Sequence, residues 1–239
     1  MGSFRYDGEN MINETGVMRL RVAIFDFDGT LYSKETFQVM MAHLKNHPEH
    51  SLRYRRFYRA IMPLYLGYKM KILPEAKMRA RSVQAYLLAL ETFSRTELEQ
   101  FFGEIADKMH DDMNSQVVER LRQHVADDDY VMLVSGAFMP LLDAVTQKLP
   151  IERIIGTEIH YKNGILDHLT PILHIQGSLK TQKIQEALVG QPIDWSNSFA
   201  YGDSFSDLPV LELVGNPVAV HPEPRLRTIA EQRKWEIIQ

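Results

Sequence analysis

The sequence predicts an α/β protein, a Rossmann-like parallel sheet core with an inserted all-helical domain. Short apolar runs rich in strand-forming residues recur along the chain, and helical patterns follow them. This alternation is typical of a parallel sheet. About a hundred residues with helical signals separate the first run from the second. We therefore expect an α/β core that is interrupted early by a helical segment.

The composition limits the classes of protein to which this chain can belong. The 239 residues are 45% hydrophobic and 24% charged, with a net charge of −4, which is ordinary for a globular protein with room for a core and a smaller second domain. The chain has no cysteine, which excludes disulfides and cysteine nucleophiles. No run approaches the roughly 18 apolar residues of a membrane span, and residues 1–17 lack the apolar block of a signal peptide. We expect a flexible tail over residues 1–17 and a cytoplasmic protein.

Four apolar runs predict strands. The first, Val22–Phe25, is apolar at every position, as in a strand that is buried on both faces. The others are Tyr130–Val134, Ser198–Tyr201 and Pro217–Val220. Between residues 152 and 169, the pair Asn163-Gly164 separates two strand-like runs, which predicts a hairpin.

Helix signals fill the segment from Thr36 to about Asp112. Pro74 suits a first helical position, and Ser94 with Glu97 has the spacing of a capping box. Asn114 can cap a further helix. We place a helical domain at residues 36–115 and the α/β core at residues 18–35 and 116–239.

Two carboxylates directly follow the first predicted strand, in Asp26-Phe27-Asp28-Gly29-Thr30. Alternate residues of an extended chain point the same way, so Asp26 and Asp28 can face one small volume. Their repulsion requires a cation or a shared proton. Mg²⁺ is bound in proteins by one or two carboxylates together with phosphate oxygens and water. The motif therefore predicts a divalent metal site.

Two further segments carry groups suited to an anion. Ser135 and Gly136 follow the second predicted strand and precede a helix, whose amino terminus supplies N–H donors. Further along, Ser178 has the character of a helix cap and Lys180 falls in the first turn. A lysine is unfavourable beside the positive end of a helix, so a bound anion would explain it. Lys183, one turn later, is the nearest rival for that role.

A last segment, Tyr201-Gly202-Asp203-Ser204-Phe205-Ser206-Asp207, places Asp203 and Asp207 just beyond another predicted strand. Open α/β sheets bind their ligands outside the carboxyl ends of the strands. We therefore expect four acidic residues, one hydroxyl and one lysine to converge on one sheet edge. Phosphoryl transfer needs such a set of a nucleophile, a proton donor, a metal and fixed positive charge.

In this order, the four segments resemble the motifs of the haloacid dehalogenase superfamily of aspartate-nucleophile phosphatases. Within it they are most similar to subfamily IB, the phosphoserine-phosphatase-like branch, over about residues 20–239. The resemblance implies a HAD-like fold with a helical C1-type cap, Mg²⁺ as cofactor and a small phosphorylated metabolite as partner, with no nucleic acid. Dehalogenases of the superfamily lack an acid at the position of Asp28, so the resemblance favours a phosphatase.

The resemblance assigns roles to the four aspartates. Asp26 would attack phosphorus and form an aspartyl-phosphate, which is covalent catalysis by a carboxylate. Asp28 would protonate the leaving alkoxide and later deprotonate the hydrolytic water. Asp26, the backbone carbonyl of Asp28 and Asp203 would ligate Mg²⁺, and Asp207 would bind the ion or lie beside it.

It also assigns the groups that bind substrate. Ser135, the Gly136 amide and Lys180 would hold the phosphoryl oxygens. Glu35 lies nine residues after the first aspartate, where phosphoserine phosphatases keep a glutamate that contacts the substrate amine. Those enzymes usually carry Ser or Val where this chain has Gly29, which is a departure from their pattern.

The segment 53–81 holds nine Lys or Arg residues and one acid, interleaved with aromatic residues. A helix with one packing face and one solvated face accounts for it. Binding of nucleic acid or an anionic membrane, and attraction of phosphorylated substrates, are alternatives.

Two alternatives for the whole chain stay open: a phosphotransferase or mutase that uses the same aspartyl-phosphate, and a non-catalytic protein that binds through this basic segment.

Two other clusters receive structural interpretations. His43, His47 and His50 are spaced for one helix face, but Pro48 interrupts that helix and no partner cluster is evident in the sequence. We therefore do not expect a metal site there. The acidic run Asp127–Asp129 is expected to be a solvated turn before a strand.

Overall fold

The computed structural model describes residues 19–239, apart from the side chains of residues 75 and 76, so the predicted tail over residues 1–17 lies outside the described residues. One parallel sheet of six strands organises the chain, and every neighbouring pair of strands is parallel. In sheet order the strands are β3 (Arg153–Thr157), β2 (Tyr130–Phe138), β1 (Val22–Phe25), β6 (Phe199–Gly202), β7 (Asn216–Val220) and β8 (Glu236–Ile238). The predicted α/β class is confirmed.

Five helices and a 3-10 helix lie between β1 and β2, and we call residues 36–112, which contain the first four helices and the 3-10 helix, the helical insertion. It contains no strand, in agreement with the sequence pattern. A fifth helix leads from the insertion back to the sheet. The elements are α1 (Thr36–Asn46), α2 (Ser51–Lys69), α3 (Glu75–Ala89), α4 (Arg95–Asp107), the 3-10 helix His110–Asp112 and α5 (Ser115–Ala126).

The rest of the chain alternates helices with strands. Its elements are α6 (Met139–Thr146), the hairpin strands β4 (Tyr161–Lys162) and β5 (Ile165–Leu166), α7 (Ser178–Ala187), α8 (Leu208–Leu211) and α9 (Pro224–Arg233), with 3-10 helices at Trp195–Asn197 and Phe205–Asp207. Within residues 19–239, no helix is both long and apolar enough to cross a membrane.

The predicted hairpin is present but shorter than expected. Asn163 and Gly164 join β4 to β5, and both have positive φ, which a tight hairpin turn requires. The upstream half of the predicted hairpin forms β3 instead, and β3 pairs with β2 at the edge of the main sheet. The residues Asn163 and Gly164 determine the turn locally, whereas β3 pairs with β2, a strand about twenty residues earlier in the chain.

Helix ends follow the predicted chemistry closely. The Glu97 carboxylate accepts a hydrogen bond from the Ser94 amide at 2.8 Å and Ser94 Oγ accepts one from the Glu97 amide, so the capping box at the start of α4 is confirmed. Asn114 Oδ1 accepts hydrogen bonds from the first amides of α5, also as predicted. Pro74 immediately precedes α3 instead of opening it, a difference of one position.

Side chains of the central strands alternate between two apolar clusters. Ala23 and Phe25 enter one cluster, whereas Val22 and Ile24 enter the other, so β1 is buried on both faces. The first cluster continues into the helical insertion through side chains such as Tyr86. The insertion therefore shares its core with one face of the sheet, and burial of these side chains holds it in place.

A buried polar network lies beneath this face and includes Asp129, whereas Asp127 and Asp128 form an exposed turn, as expected for the segment Asp127–Asp129. The Asp129 side chain is buried, with Oδ2 2.7 Å from His124 Nδ1. His124 Nε2 lies 2.8 Å from the Tyr201 hydroxyl, and the Tyr201 ring stacks on Phe25 with centroids 4.4 Å apart. Only Asp129 departs from the expected solvated turn, and its burial is tolerated because its carboxylate has a partner inside the protein.

We expect Tyr201→Phe to lower the free energy of unfolding by about 1–3 kcal/mol, because it leaves His124 Nε2 buried without a partner. Urea denaturation monitored by circular dichroism measures the change. Tyr58→Phe is the matched control, since the residue is 47% exposed and the loss should stay below about 0.5 kcal/mol. Equal losses in the two variants would show that the network contributes nothing specific.

Candidate active site

The site lies where the three central strands end. Asp26 comes directly after β1, and its amide donates a hydrogen bond to the Tyr201 carbonyl of β6 at 3.0 Å. Asp203 comes directly after β6. Because β1 and β6 are adjacent and parallel, the residues that follow them meet at one edge of the sheet.

Asp26, Asp203 and Asp207 form what we call the acidic cluster. Each offers a carboxylate oxygen, and these oxygens all lie within 4.8 Å of one another. Lys180 Nζ lies 2.5 Å from Asp26 Oδ1 and 2.6 Å from Asp207 Oδ1. Lys180, Asp26 and Asp207 are all buried. The structure thus brings together three of the four predicted aspartates and the predicted lysine.

The structure of the segment around Lys180 differs from the expectation at the helix cap and separates Lys180 from Lys183. Gly177, with φ of +57°, precedes α7 as its cap, and Ser178 is the first helical residue, so the assignment of Ser178 as the cap is wrong. Glycine is preferred there because the positive φ is costly for other residues. Lys183 pairs with Glu186 on the surface at 2.6 Å, away from the acidic cluster.

Electrostatics in the cluster favours a cation. Burial and the neighbouring Asp207 raise the pKa of Asp26, whereas Lys180 lowers it. Burial, followed by the charge of Asp207, raises the pKa of Asp203 to about 7. One lysine balances only one of three carboxylates, so ionising all three requires about two further positive charges. An all-oxygen donor set with this deficit fits Mg²⁺.

The orientation of Asp207 is fixed at both oxygens. Oδ1 accepts from Lys180, and Oδ2 accepts from the Ser204 hydroxyl at 2.8 Å and the Ser204 amide at 3.2 Å. Ser204 caps the 3-10 helix Phe205–Asp207, so this short helix orients the Asp207 carboxylate.

The Asp28 carboxylate has different partners from those of the acidic cluster. It accepts hydrogen bonds from the Thr36 amide at 2.8 Å and the Thr36 hydroxyl at 2.9 Å. Burial raises the pKa of Asp28 to about 7 although these hydrogen bonds oppose the shift. A carboxyl group in this range can both donate and accept a proton near neutral pH. Nothing in the sequence marks Thr36 as a partner of Asp28 except its place at the start of α1.

Glu35 lies beside this carboxyl group, on the surface. Its side chain is exposed at the residue before α1, and its charge raises the pKa of both Asp28 and Asp203. The position is open to solvent and next to the site, as a substrate contact requires.

The backbone of Gly29 lies against the acidic cluster. Its φ is +73°, and a Cβ atom added to it would lie 2.2 Å from Asp203 Oδ2. Serine or valine, the residues of typical phosphoserine phosphatases at this position, would need a different arrangement of Asp203. The departure noted in the sequence therefore has a steric reason in this chain.

Ser135 and Gly136 lie inside β2, whose last residue is Phe138, so the predicted strand end at Val134 is wrong by four residues. The pairing of β2 with β3 is irregular from Val134 to Phe138, and this distortion carries the Ser135-Gly136 pair. Ser135 is buried, and its Oγ accepts from the Ala137 amide at 3.0 Å.

His174 packs on Gly136, and the sequence analysis did not single it out. A Cβ atom on Gly136 would lie 2.8 Å from His174 Cε1, so the glycine makes room for the ring. Burial, followed by the charges of Arg79 and Lys180, lowers the pKa of His174. Arg79 belongs to α3, so its charge links the helical insertion electrostatically to the sheet edge.

A buried carboxylate cluster at the carboxyl edge of a parallel sheet lies where α/β enzymes bind their ligands. The family model described as haloacid dehalogenase-like hydrolase matches residues 23–212. The chain therefore belongs to the haloacid dehalogenase-like hydrolases, and the resemblance drawn from the motifs is confirmed.

Curated relatives carry phosphatase names. The phosphoserine phosphatase SerB1 of Mycobacterium tuberculosis is 30% identical over 142 residues, which is 58% of this chain. The chain spans only 44% of the length of that relative.

Solved structures support the fold. A protein of unknown function from Bordetella pertussis Tohama I has a TM-score of 0.76 and 24% identity, covering 93% of this chain and 99% of that one. A phosphoserine phosphatase solved as a phospho-aspartyl intermediate analogue has a TM-score of 0.62 and 16% identity, covering 92% of this chain and 93% of that one.

We expect Gly29→Ala to reduce activity more than Gly190→Ala does, because only the substitution at Gly29 displaces the Asp203 carboxylate. Both glycines have positive φ, but nothing lies within 4 Å of a Cβ at Gly190. Each should lose about 1–2 kcal/mol of stability to backbone strain. Gly29→Ala should in addition lower hydrolysis of an aryl phosphate about 100-fold, as a misplaced catalytic group does. Equal activities in the two variants would contradict this steric account.

Proposed function

We propose that the chain is a Mg²⁺-dependent phosphomonoesterase that acts on a small phosphorylated metabolite through an aspartyl-phosphate on Asp26. One observation carries the proposal: a buried carboxylate paired with Lys180 lies two residues from Asp28, whose pKa of about 7 suits proton transfer. A nucleophile, a fixed positive charge and an acid-base group are the parts that this chemistry needs.

The reaction proceeds in two displacements. An Asp26 oxygen bonds to phosphorus while the ester P–O bond breaks, and the leaving alkoxide takes a proton from Asp28. In the second displacement, Asp28 takes a proton from a water molecule whose oxygen bonds to phosphorus. The bond from phosphorus to Asp26 breaks, which releases phosphate and restores both aspartates.

The acidic cluster and the backbone carbonyl of Asp28 would hold Mg²⁺. When bound, the ion would neutralise the charge that builds up on the phosphoryl oxygens. Lys180 would contribute fixed positive charge from the other side, while Ser135 and the Gly136 amide would hold the remaining phosphoryl oxygens. The Thr36 hydrogen bonds orient the Asp28 carboxyl group throughout.

Residues 36–115 would act as a cap that selects the substrate and excludes water during phosphoryl transfer. The helical insertion borders the site through Thr36, which binds the Asp28 carboxylate, and through Arg79, whose charge acts on His174. The carboxylate of Glu35 is exposed and its charge acts on Asp28, which supports a role for it as the contact of a substrate amine and favours a phosphoserine-like substrate. The phosphatase names of the relatives support the reaction class.

We expect Asp26→Asn to abolish Mg²⁺-dependent hydrolysis of p-nitrophenyl phosphate, because the amide cannot form the aspartyl-phosphate. Asp28→Asn should lower kcat by about 10²–10⁴-fold, the usual contribution of general acid-base catalysis. Asp107→Asn, at an exposed position at the end of α4, is the matched control and should keep wild-type rates. Activity retained in purified Asp26→Asn would overturn the proposed mechanism.

We expect Glu35→Gln to raise KM for substrates that carry an amine, with little change for p-nitrophenyl phosphate. A panel of phosphoserine, histidinol phosphate and phosphocholine tests this, and an unchanged KM for all three would remove Glu35 from the substrate site.

Adding an acceptor alcohol to the same assay separates hydrolysis from phosphoryl transfer. Turnover that rises with the alcohol, with a phosphorylated alcohol as product, would establish a phosphotransferase instead.

A further inference from the structure

A second group of metal-ligating side chains lies in the helical insertion. His43 is on the last turn of α1, His47 caps the end of that helix, and Glu104 comes from α4. Nε2 of each histidine lies 3.4 Å from Glu104 Oε2. We call these three residues the histidine-glutamate cluster. The sequence analysis found no partner for the histidines because Glu104 is far away in the chain.

The buried member of the cluster lacks a hydrogen-bond partner at the relevant atom. The His43 side chain is 1% exposed, and no hydrogen bond to its Nε2 is found in the part of the chain that the structure describes. A buried polar atom without a partner carries a free-energy cost, and a bound ligand would remove it. His43 Nε2 lies close to the Glu104 carboxylate without forming a hydrogen bond to it.

Aromatic packing orients both imidazole rings. Phe101 packs edge-on against His43, with centroids 4.8 Å apart at 70°. His50 stacks on His47, with centroids 4.0 Å apart at 10°. Rings held in this way present their nitrogens in fixed directions, so little side-chain entropy is lost on binding a ligand.

We propose that the histidine-glutamate cluster is a Zn²⁺ site, with Nε2 of His43, Nε2 of His47 and a Glu104 carboxylate oxygen as ligands and water in the fourth position. Bonds of about 2.0–2.1 Å in a tetrahedral site place ligand atoms about 3.3–3.4 Å apart. Both distances from histidine to glutamate have this value. Two imidazoles with one carboxylate favour zinc over magnesium or calcium, which prefer all-oxygen donor sets.

Lys108 competes with the metal. Its Nζ lies 2.8 Å from His43 Nδ1, and because an ammonium group only donates, Nδ1 accepts and the ring proton resides on Nε2. His47 Nδ1 likewise accepts from the Glu49 amide at 3.2 Å. Metal binding moves each ring proton from Nε2 to Nδ1, so the Lys108 ammonium group must leave His43, and the amide of Glu49, an exposed residue in the turn after α1, must leave His47. Lys108 is exposed, so its side chain can turn into solvent when this happens.

The zinc site is separate from the acidic cluster. Thr36 opens α1 and binds Asp28, whereas His47 closes the same helix eleven residues later. At 1.5 Å per residue, the two ends lie about 16 Å apart. Zinc at the far end would tie α1 to α4 and thereby stabilise the helical insertion without touching the catalytic aspartates.

Isothermal titration of the full chain with ZnCl₂, in excess Mg²⁺ to occupy the acidic cluster, tests the proposal. We expect one zinc ion per chain in the wild type, and at least tenfold weaker binding in His47→Ala and in Glu104→Gln. His110→Ala, an exposed histidine of the same insertion, and Asp203→Asn, in the acidic cluster, should bind zinc as the wild type does. Unchanged binding in both His47→Ala and Glu104→Gln would overturn the site.

Lys108→Ala distinguishes a metal site from a cluster that has only a packing role. Removal of the ammonium group should strengthen zinc binding at least threefold, because it no longer holds the proton on His43 Nε2. Zinc should also raise the Tm of the wild type and leave that of Glu104→Gln unchanged, while circular dichroism confirms that each variant is folded. Weaker zinc binding in Lys108→Ala, or a zinc-induced Tm increase in Glu104→Gln equal to that of the wild type, would contradict the proposal.

Discussion

The contact of Lys180 with Asp26 and Asp207 is the interaction on which the site depends. A buried ammonium group costs several kcal/mol of desolvation unless carboxylates surround it, and buried carboxylates carry the same cost without a cation. The two pairs join the end of β1, the first turn of α7 and the 3-10 helix after β6. Three elements distant in sequence therefore meet at one point, and the negative charge left there suits a divalent cation.

The apolar core positions these elements. Alternate residues of β1 enter clusters on the two faces of the sheet, which fixes the strand in register and places Asp26 at its carboxyl end. The helical insertion continues the cluster on one face. Its first helix begins at Thr36, whose amide and hydroxyl hold Asp28. The insertion therefore supports the Asp28 carboxyl group directly as well as bordering the site.

One helix connects two clusters of different chemistry. Carboxylates and a lysine lie near the start of α1, whereas imidazoles and one carboxylate lie at its end. Oxygen donors suit magnesium and nitrogen donors suit zinc, so the two positions would take different ions from the same solution. Packing of α4 and its aromatic residues against the end of α1 creates the second cluster, which α1 alone would not provide.

The sequence by itself determined what depends on neighbouring residues. The apolar run of β1, the capping box of Ser94 and Glu97, and the turn at Asn163-Gly164 follow from local patterns, and all are present. Family motifs identified the four aspartates and Lys180, because each motif is a short segment with its own spacing. The catalytic roles of these residues stay predictions until variants are assayed.

Only the tertiary structure decided which distant groups meet. The burial of Asp129 requires His124 of the preceding helix, and the Asp28 carboxylate depends on Thr36. The contact of Gly29 with Asp203, and the approach of Glu104 to the histidines of α1, join segments many residues apart. Such contacts depend on packing summed over the whole core, which local sequence patterns do not contain.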